Sequence, residues 1–298
     1  AQLRAKDHPS RRRDHIFDAV DGLDDGGIHH AHDRLYPGIY PVIKKVDFAK
    51  FSSVKIGGIH EVLIVNFTDE NFDDRVIIGG GNNILVSPNP PKLAMLGENF
   101  DYIKIDGESL EIGGATKSGA IYNYAKKHDI TGFEMLRNIP GTLGGLVKMN
   151  AGLCGRSISD ALTHVLFKDG WREREWINFA YRTSGIKEPI FGAKFKISQG
   201  FDAPLADEFA AKRANQPSGA SFGSCFVNPP GDFAGRLIEA VGLKGYAIGG
   251  AKFSEKHANF LINFDHATFE DATALIGLAQ KLVKAEFGTQ LKTEVVIL

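Results

Sequence analysis

Between residues 75 and 112 the chain passes through five short apolar or β-branched stretches, each only a few residues from the next. Residues 75–78, 83–86, 92–96, 102–105 and 109–112 are separated by Gly, Asn and Pro. Spacing this tight leaves no room for crossover helices, so the region reads as strands joined by turns. A helix is expected at 118–128, with Ala120, Tyr124 and Ala125 inward. Further strands are expected at 163–167, 174–177 and 190–197, and a helical connection at 199–214. The last third changes period. Asp232 is positioned to cap a helix carrying Ala234, Leu237, Ile238 and Val241, ended by Gly242. Thr268 and Asp271 form a capping-box pattern ahead of a longer helix with the stripe Leu275, Leu278, Ala279, Leu282 and Val283, stopped by Gly288. Residues 257–264 and 295–298 read as strands. The class is α+β in several small layers, not a regular βαβ alternation.

The 298 residues suit two or three modest domains. A net charge of −1 supplies no electrostatic reason to expect nucleic acid or an anionic membrane as partner. Two cysteines, Cys154 and Cys225, argue against a disulfide framework or a cysteine metal site. No run approaches the roughly 18 apolar residues of a membrane span, and no signal peptide is visible, so a reduced cytoplasmic protein is expected. Residues 1–42 are rich in Arg, Asp and His and lack a hydrophobic period. Although His29, His30 and His32 are metal-capable types, the stretch reads as a polar extension without a catalytic role.

Four loops carry chemical signals. Gly79, Gly80 and Gly81 with Asn82 and Asn83 lie between two strands, where glycines let backbone N–H groups face a phosphate. The residues after them are strand-like, so this is not the dinucleotide fingerprint that opens a helix. Pro140, Gly141, Thr142, Gly144 and Gly145 form a second glycine-rich loop, followed by Asn150 and Gly152. Two such loops suit one large phosphate-bearing ligand, or simply two turns. Tyr181 and Arg182 precede a hydroxyl pair, and an arginine fork there suits a carboxylate or phosphate. Ser224 lies beside a glycine and between aromatics, outside any G-x-S-x-G elbow. Glu294 stands alone among apolar neighbours, either on a solvent face or as a functional acid.

The order and wording of these motifs resemble the UDP-N-acetylenolpyruvoylglucosamine reductases (MurB), from about residue 47 to 298. The matching landmarks are GGGNNILV at 79–86, IPGTLGG at 139–145, MNAG at 149–152, YRTS at 181–184 and GSCFVNP at 223–229. They continue with AGRLIE at 234–239, GLKG at 242–245, SEKHANF at 254–260 and EVV at 294–296. The resemblance implies a two-part FAD-binding region of the vanillyl-alcohol-oxidase (PCMH) type. The first part is 43–97, rejoined by 291–298, and the second is 98–198. A smaller α+β substrate-binding domain follows at 205–290.

The implied reaction is hydride transfer from NADPH to bound FAD and then to the enolpyruvyl group of a UDP-sugar. That step belongs to peptidoglycan synthesis, and so to cell shape and division. The implied partners are small molecules only, acting on a cytoplasmic monomer with no metal. By position, Arg182 and Glu294 would polarise the enolpyruvyl carboxylate, and Ser224 would protonate the enolate-like intermediate. Tyr181, Arg213, Asn228 and His257 would contact substrate. Gly79, Gly80, Gly81, Asn82, Asn83, Pro140, Gly141, Thr142, Gly144, Gly145, Asn150 and Gly152 would cradle FAD. Val227 departs from the family's usual lysine, and the short stretch between Arg182 and Ser224 implies the subtype lacking a tyrosine loop. Two rivals share the scaffold: another FAD-dependent oxidoreductase and a non-catalytic nucleotide-binding relative. A serine hydrolase is the third alternative.

Overall fold

A computed structural model describes residues 41–214 and 216–298. The polar stretch, including His29, His30 and His32, lies outside the described residues up to position 40. Five strands open the described chain: β1 (Val42–Asp47), β2 (Ile59–Val65), β3 (Val76–Ile78), β4 (Ile84–Leu85) and β5 (Leu93–Leu96). They make a sheet of order β1-β2-β5-β3, antiparallel at β1 and parallel elsewhere, with β4 set apart. Asp47 caps the single helical turn α1 (Phe48–Phe51) by accepting from Ala49 N. β1 begins at Val42, one residue inside the stretch read as extension. It went unforeseen because it is an edge strand with both lysines, Lys44 and Lys45, exposed. β2 also went unforeseen, since it opens on His60 and Glu61 before its apolar run.

The second sheet has order β11-β10-β12-β7-β6 and is antiparallel throughout. Its strands are β6 (Ile103–Asp106), β7 (Ser109–Gly113), β10 (Leu162–Phe167), β11 (Gly170–Glu173) and β12 (Gly192–Lys196). Between β7 and β10 lie α2 (Ser118–Lys127), α3 (Leu143–Lys148) and the small hairpin β8 (Gly152–Leu153) and β9 (Arg156–Ser157). The expected strand at 174–177 is instead a 3-10 turn, Arg174–Trp176, and the strand lies just before it as β11. The inner face of α2 is Ser118, Ile121, Tyr122 and Ala125, one helical row. Ala120 is exposed, because it sits a residue off that row.

The third sheet, β13-β16-β15-β14, comprises β13 (Ala220–Ser224), β14 (Ala247–Ile248), β15 (Ala251–Phe253) and β16 (Phe260–Asn263). It is reached through α4 (Ala203–Ala214), and α5 (Ala234–Ala240) and α6 (Phe269–Phe287) pack on it in one buried cluster. Helix α6 carries the full capping box between Thr268 and Asp271, and Gly288 ends it at φ +67. Helix α5 is not capped by Asp232. Asn228 Oδ1 accepts from Ala234 N at 3.0 Å, while Asp232 is drawn into an ion pair with Arg236.

The closing strand β17 (Val296–Ile297) returns to pair in parallel with β4, Val296 opposite Ile84. Leu85, Phe226, Leu261 and Val295 share one buried cluster, so the third sheet and the returning strand are packed together.

Candidate active site

The described residues form a cleft of about 460 Å³ where the third sheet meets the Tyr181–Arg182 turn and the returning segment at Glu294. Arg182, Ser224 and Glu294 all line it, with Tyr181, Asn228 and His257. Sequence positions 181 to 294 are thus brought to one surface.

Ser224 gets there through a bulge. Ser221 pairs with Ile262 and Ser224 with Phe260, so three steps on β13 match two on β16. Gly223 absorbs the extra residue at φ +84, a conformation that favours glycine. After the bulge Ser224 faces the cleft and Cys225 is fully buried in the core. Burial pushes the Cys225 thiol well above its ordinary pKa, and Glu294 adds to the rise.

Arg182 sits at φ +60 in a tight turn whose ends, Ala180 and Thr183, bond each other at 2.8 and 3.2 Å. The buried Asn150 anchors that turn, its Nδ2 donating to Ala180 O at 3.0 Å. From the turn, Arg182 Nη1 donates to Gly152 O at 2.9 Å and Nε lies 3.4 Å from Glu294 Oε1. The guanidinium also lies 5.1 Å from the centre of the exposed Tyr181 ring. Glu294 is fixed by its backbone, N–H to Cys225 O at 2.8 Å and C=O from Asn83 Nδ2 at 2.9 Å. Burial pushes the Glu294 carboxyl above the usual carboxylate range, and Arg182 only partly opposes this.

A raised folded-state pKa means that the folded protein holds the proton more tightly than the unfolded chain does. Stability from this group is therefore complete below the ordinary carboxylate pKa and falls as pH rises through the raised value. Glu294→Gln should melt higher than the parent at about pH 7.5 and lose that advantage near pH 4. Thermal melting at both pH values checks it, and a variant less stable at pH 7.5 would overturn it.

Around this trio, Arg213 on α4 is half-buried. It does not line the cleft; burial and then the charge of Arg182 hold its guanidinium below its ordinary pKa. Asn228 spends Oδ1 on the start of α5, leaving its amide N–H groups for a ligand. His257 stands at the exposed rim, its Nδ1 accepting from Asn259 N at 3.2 Å. Partial desolvation of the ring lowers its pKa. Cleft residues with larger side chains that sequence reasoning did not single out are Phe226, Phe233, Arg236, Glu239, Lys256 and Asn259. All except Phe233 fall inside the matched motifs, which was the available signal.

The two glycine-rich loops face each other. A Cβ on Gly79 would come within 2.6 Å of Thr142 Oγ1, and one on Gly80 within 3.6 Å of Gly141 Cα. Gly141 is at φ +134. The same crowding by the chain itself holds at other motif glycines. A side chain on Gly81 would strike the Phe51 ring, one on Gly144 the Ile190 carbonyl and one on Gly152 the Arg156 carbonyl. Gly144 and Gly145 belong to the first turn of α3 instead of an open loop. Pro140 is exposed, and Asn82 Nδ2 is tied to Ser53 at 2.7 Å. Asn150 Oδ1 is buried and has no hydrogen-bond partner among the described residues.

Residues 215–298 match the family model of the UDP-N-acetylenolpyruvoylglucosamine reductase C-terminal domain. The chain is 52% identical over 259 residues to the Campylobacter jejuni (strain RM1221) protein of that reductase name, covering 85% of this chain and 99% of that one. It is 50% identical over 257 residues to the Helicobacter hepaticus protein of the same name, with 85% and 98% covered. Among solved structures it resembles the UDP-N-acetylenolpyruvylglucosamine reductase (MurB) of Thermus caldophilus. There the TM-score is 0.75 at 27% identity, over 87% of this chain and 99% of that one.

Proposed function

The chain belongs to the UDP-N-acetylenolpyruvoylglucosamine reductase family, and from that premise we propose that Arg182, Ser224 and Glu294 are its catalytic residues. The reaction is reduction of the enolpyruvyl group of the UDP-sugar to UDP-N-acetylmuramate, a step of peptidoglycan precursor synthesis, with NADPH as hydride source. When bound, FAD supplies the carrier that takes hydride from NADPH and passes it to the vinyl carbon of the substrate.

The residues present fit that group. Asn150 Oδ1 is a buried acceptor without a partner among the described residues, and Gly79, Gly80 and Gly141 hold two backbone loops so close that a side chain on Gly79 or Gly80 would strike Thr142 or Asn82. We assign FAD to these residues with Asn82 and Asn83, across 43–97 with 291–298 and across 98–198. The UDP-sugar goes to 205–290. We propose further that the enzyme works in the cytoplasm, where its two nucleotide substrates are free, and as a monomer.

The carrying observation is the convergence of the trio on one cleft. Hydride arriving at the vinyl carbon leaves negative charge shared between the adjacent carbon and its carboxylate. Arg182 holds that carboxylate, pre-aimed by Gly152 O and Glu294. Glu294, held beside the guanidinium and raised above the usual carboxylate range by burial, orients the Arg182 fork toward the same oxygens. Ser224 donates the proton to the carbon beside the carboxylate. Tyr181, Arg213, Asn228 and His257 hold the rest of the UDP-sugar.

The test is NADPH oxidation by purified yellow protein, which should depend on the enolpyruvyl UDP-sugar. Oxidation at the same rate with oxygen alone would favour another flavin oxidoreductase on this scaffold. A chain beginning at Pro41 should retain flavin and activity, since its first strand pair is complete: Val42 opposes Ile64. Flavin loss on that truncation, read by absorbance, would make the preceding residues part of the folded enzyme.

A further inference from the structure

Past the end of the β13–β16 pairing, the ladder is continued by a side chain. Asn259 is buried, and all four of its polar groups are engaged. Its Oδ1 accepts from Phe226 N at 2.9 Å and its Nδ2 donates to Phe226 O at 2.8 Å. Its own carbonyl accepts from Cys225 N at 2.7 Å, and its N–H donates to His257 Nδ1 at 3.2 Å. A carboxamide offers the same donor and acceptor as a peptide unit, so Asn259 acts here as one residue of a strand turned sideways. The segment it grips, 225–226, directly follows Ser224. On its other side Cys225 O takes the N–H of Glu294 at 2.8 Å. The bond to His257 Nδ1 also fixes the tautomer of the neutral ring, leaving the proton on Nε2.

Resting on the catalytic reading above, we propose that Asn259 is a positioning residue. It sets the separation of Ser224 from Glu294 through its buried side-chain amide, while its backbone N–H, which both test variants keep, fixes the donor state of His257. Among the described residues its hydrogen bonds go to Phe226, Cys225 and His257, none to the glycine loops or the Arg182 turn, so hydride entry should not depend on it.

Asn259→Asp and Asn259→Ala in the flavin-loaded enzyme test this by stopped-flow absorbance. Flavin reduction by NADPH should stay near the parent rate in both. Reoxidation by the enolpyruvyl UDP-sugar should slow about 100-fold in the alanine variant, the scale of a misplacement of about 1 Å. In the aspartate variant only the protonated side chain restores both hydrogen bonds to Phe226, since the ionised form faces a carbonyl with a second acceptor. Its reoxidation rate, divided by that of the parent at each pH, should therefore climb as pH falls from about 8 to about 6. The alanine ratio should stay flat. His257, Cys225 and Glu294, the ionisable groups on the gripped segments, are common to parent and variant and cancel in the ratio. Parent-like reoxidation, equal slowing of both halves, a pH-flat aspartate ratio or loss of flavin from both variants would each overturn the positioning role. A parent that the UDP-sugar does not reoxidise would instead bring down the reaction assignment on which the inference rests.

Discussion

Ser224→Ala should bind FAD and accept hydride from NADPH nearly as the parent does, yet return its electrons to the enolpyruvyl substrate about 100- to 10,000-fold more slowly. That range is the usual worth of a positioned general acid. A serine hydroxyl is a weak acid in water, so the assignment requires a strongly basic partner, and the carbon beside the enolpyruvyl carboxylate becomes one once hydride has arrived. The bulge at Gly223 turns the hydroxyl to the cleft wall shared with Glu294 and Arg182. Cys225, one residue on, is fully buried in the hydrophobic core. Cys225→Ala should therefore cost far less in reoxidation and show its effect in stability, as small core deletions do. Following the flavin band through each half-reaction separates the outcomes. Equal slowing of both halves in Ser224→Ala would make Ser224 a structural residue of the flavin pocket.

Gly141→Val should yield apoprotein that added FAD does not reconstitute. The cause is the backbone more than crowding. A Cβ at 141 meets only Leu146 Cδ2 at 3.8 Å and Asn82 Oδ1 at 4.0 Å, both ordinary contacts. The φ of +134, however, is one that a β-branched residue holds only at a cost of order 1–3 kcal/mol. The loop should relax away from that angle and carry Thr142 off its seat against Gly79. The carbonyl of Gly141 also holds Ser118 N at 2.9 Å, so the start of α2 moves too. Flavin content per chain after refolding with excess FAD is the measurement. A fully flavinated, active valine variant would reduce the loop to an ordinary turn.

The paired glycine loops and the capping box of α6 were readable in the sequence because each is written in adjacent residues, whereas Arg182, Ser224 and Glu294 lie far apart and were linked only by the resemblance of the motifs that carry them. The helix spacing of α5 was readable too, but its cap was not. Asp232 satisfies the local rule, while Asn228, six residues before Ala234, makes the bond. The bulge at Gly223 was hidden because a single extra residue leaves no periodic trace, although it decides which of Ser224 and Cys225 meets the cleft. The grip of Asn259 on Phe226 spans 33 residues and the hook of Asn83 on Glu294 spans 211, and neither follows any sequence period. The glycines have a second reason that the sequence does not show: a side chain on Gly79, Gly80, Gly81 or Gly152 would collide with the chain's own atoms.

The pairing of β17 with β4 also imposes an order of events in the cell. A ribosome adding roughly 5 to 20 residues per second exposes the glycine loops, the Arg182 turn and Ser224 well before Glu294 exists. The first two sheets and most of the third can thus form on a nascent chain that lacks one member of its proposed trio. Contacts so distant along the chain also form late on entropic grounds, after the local hairpins have closed. Such a chain has no complete means of handling an enolpyruvyl carboxylate. On the proposed assignment, insertion of the returning segment between Asn83 and Cys225 is the event that completes the catalytic trio.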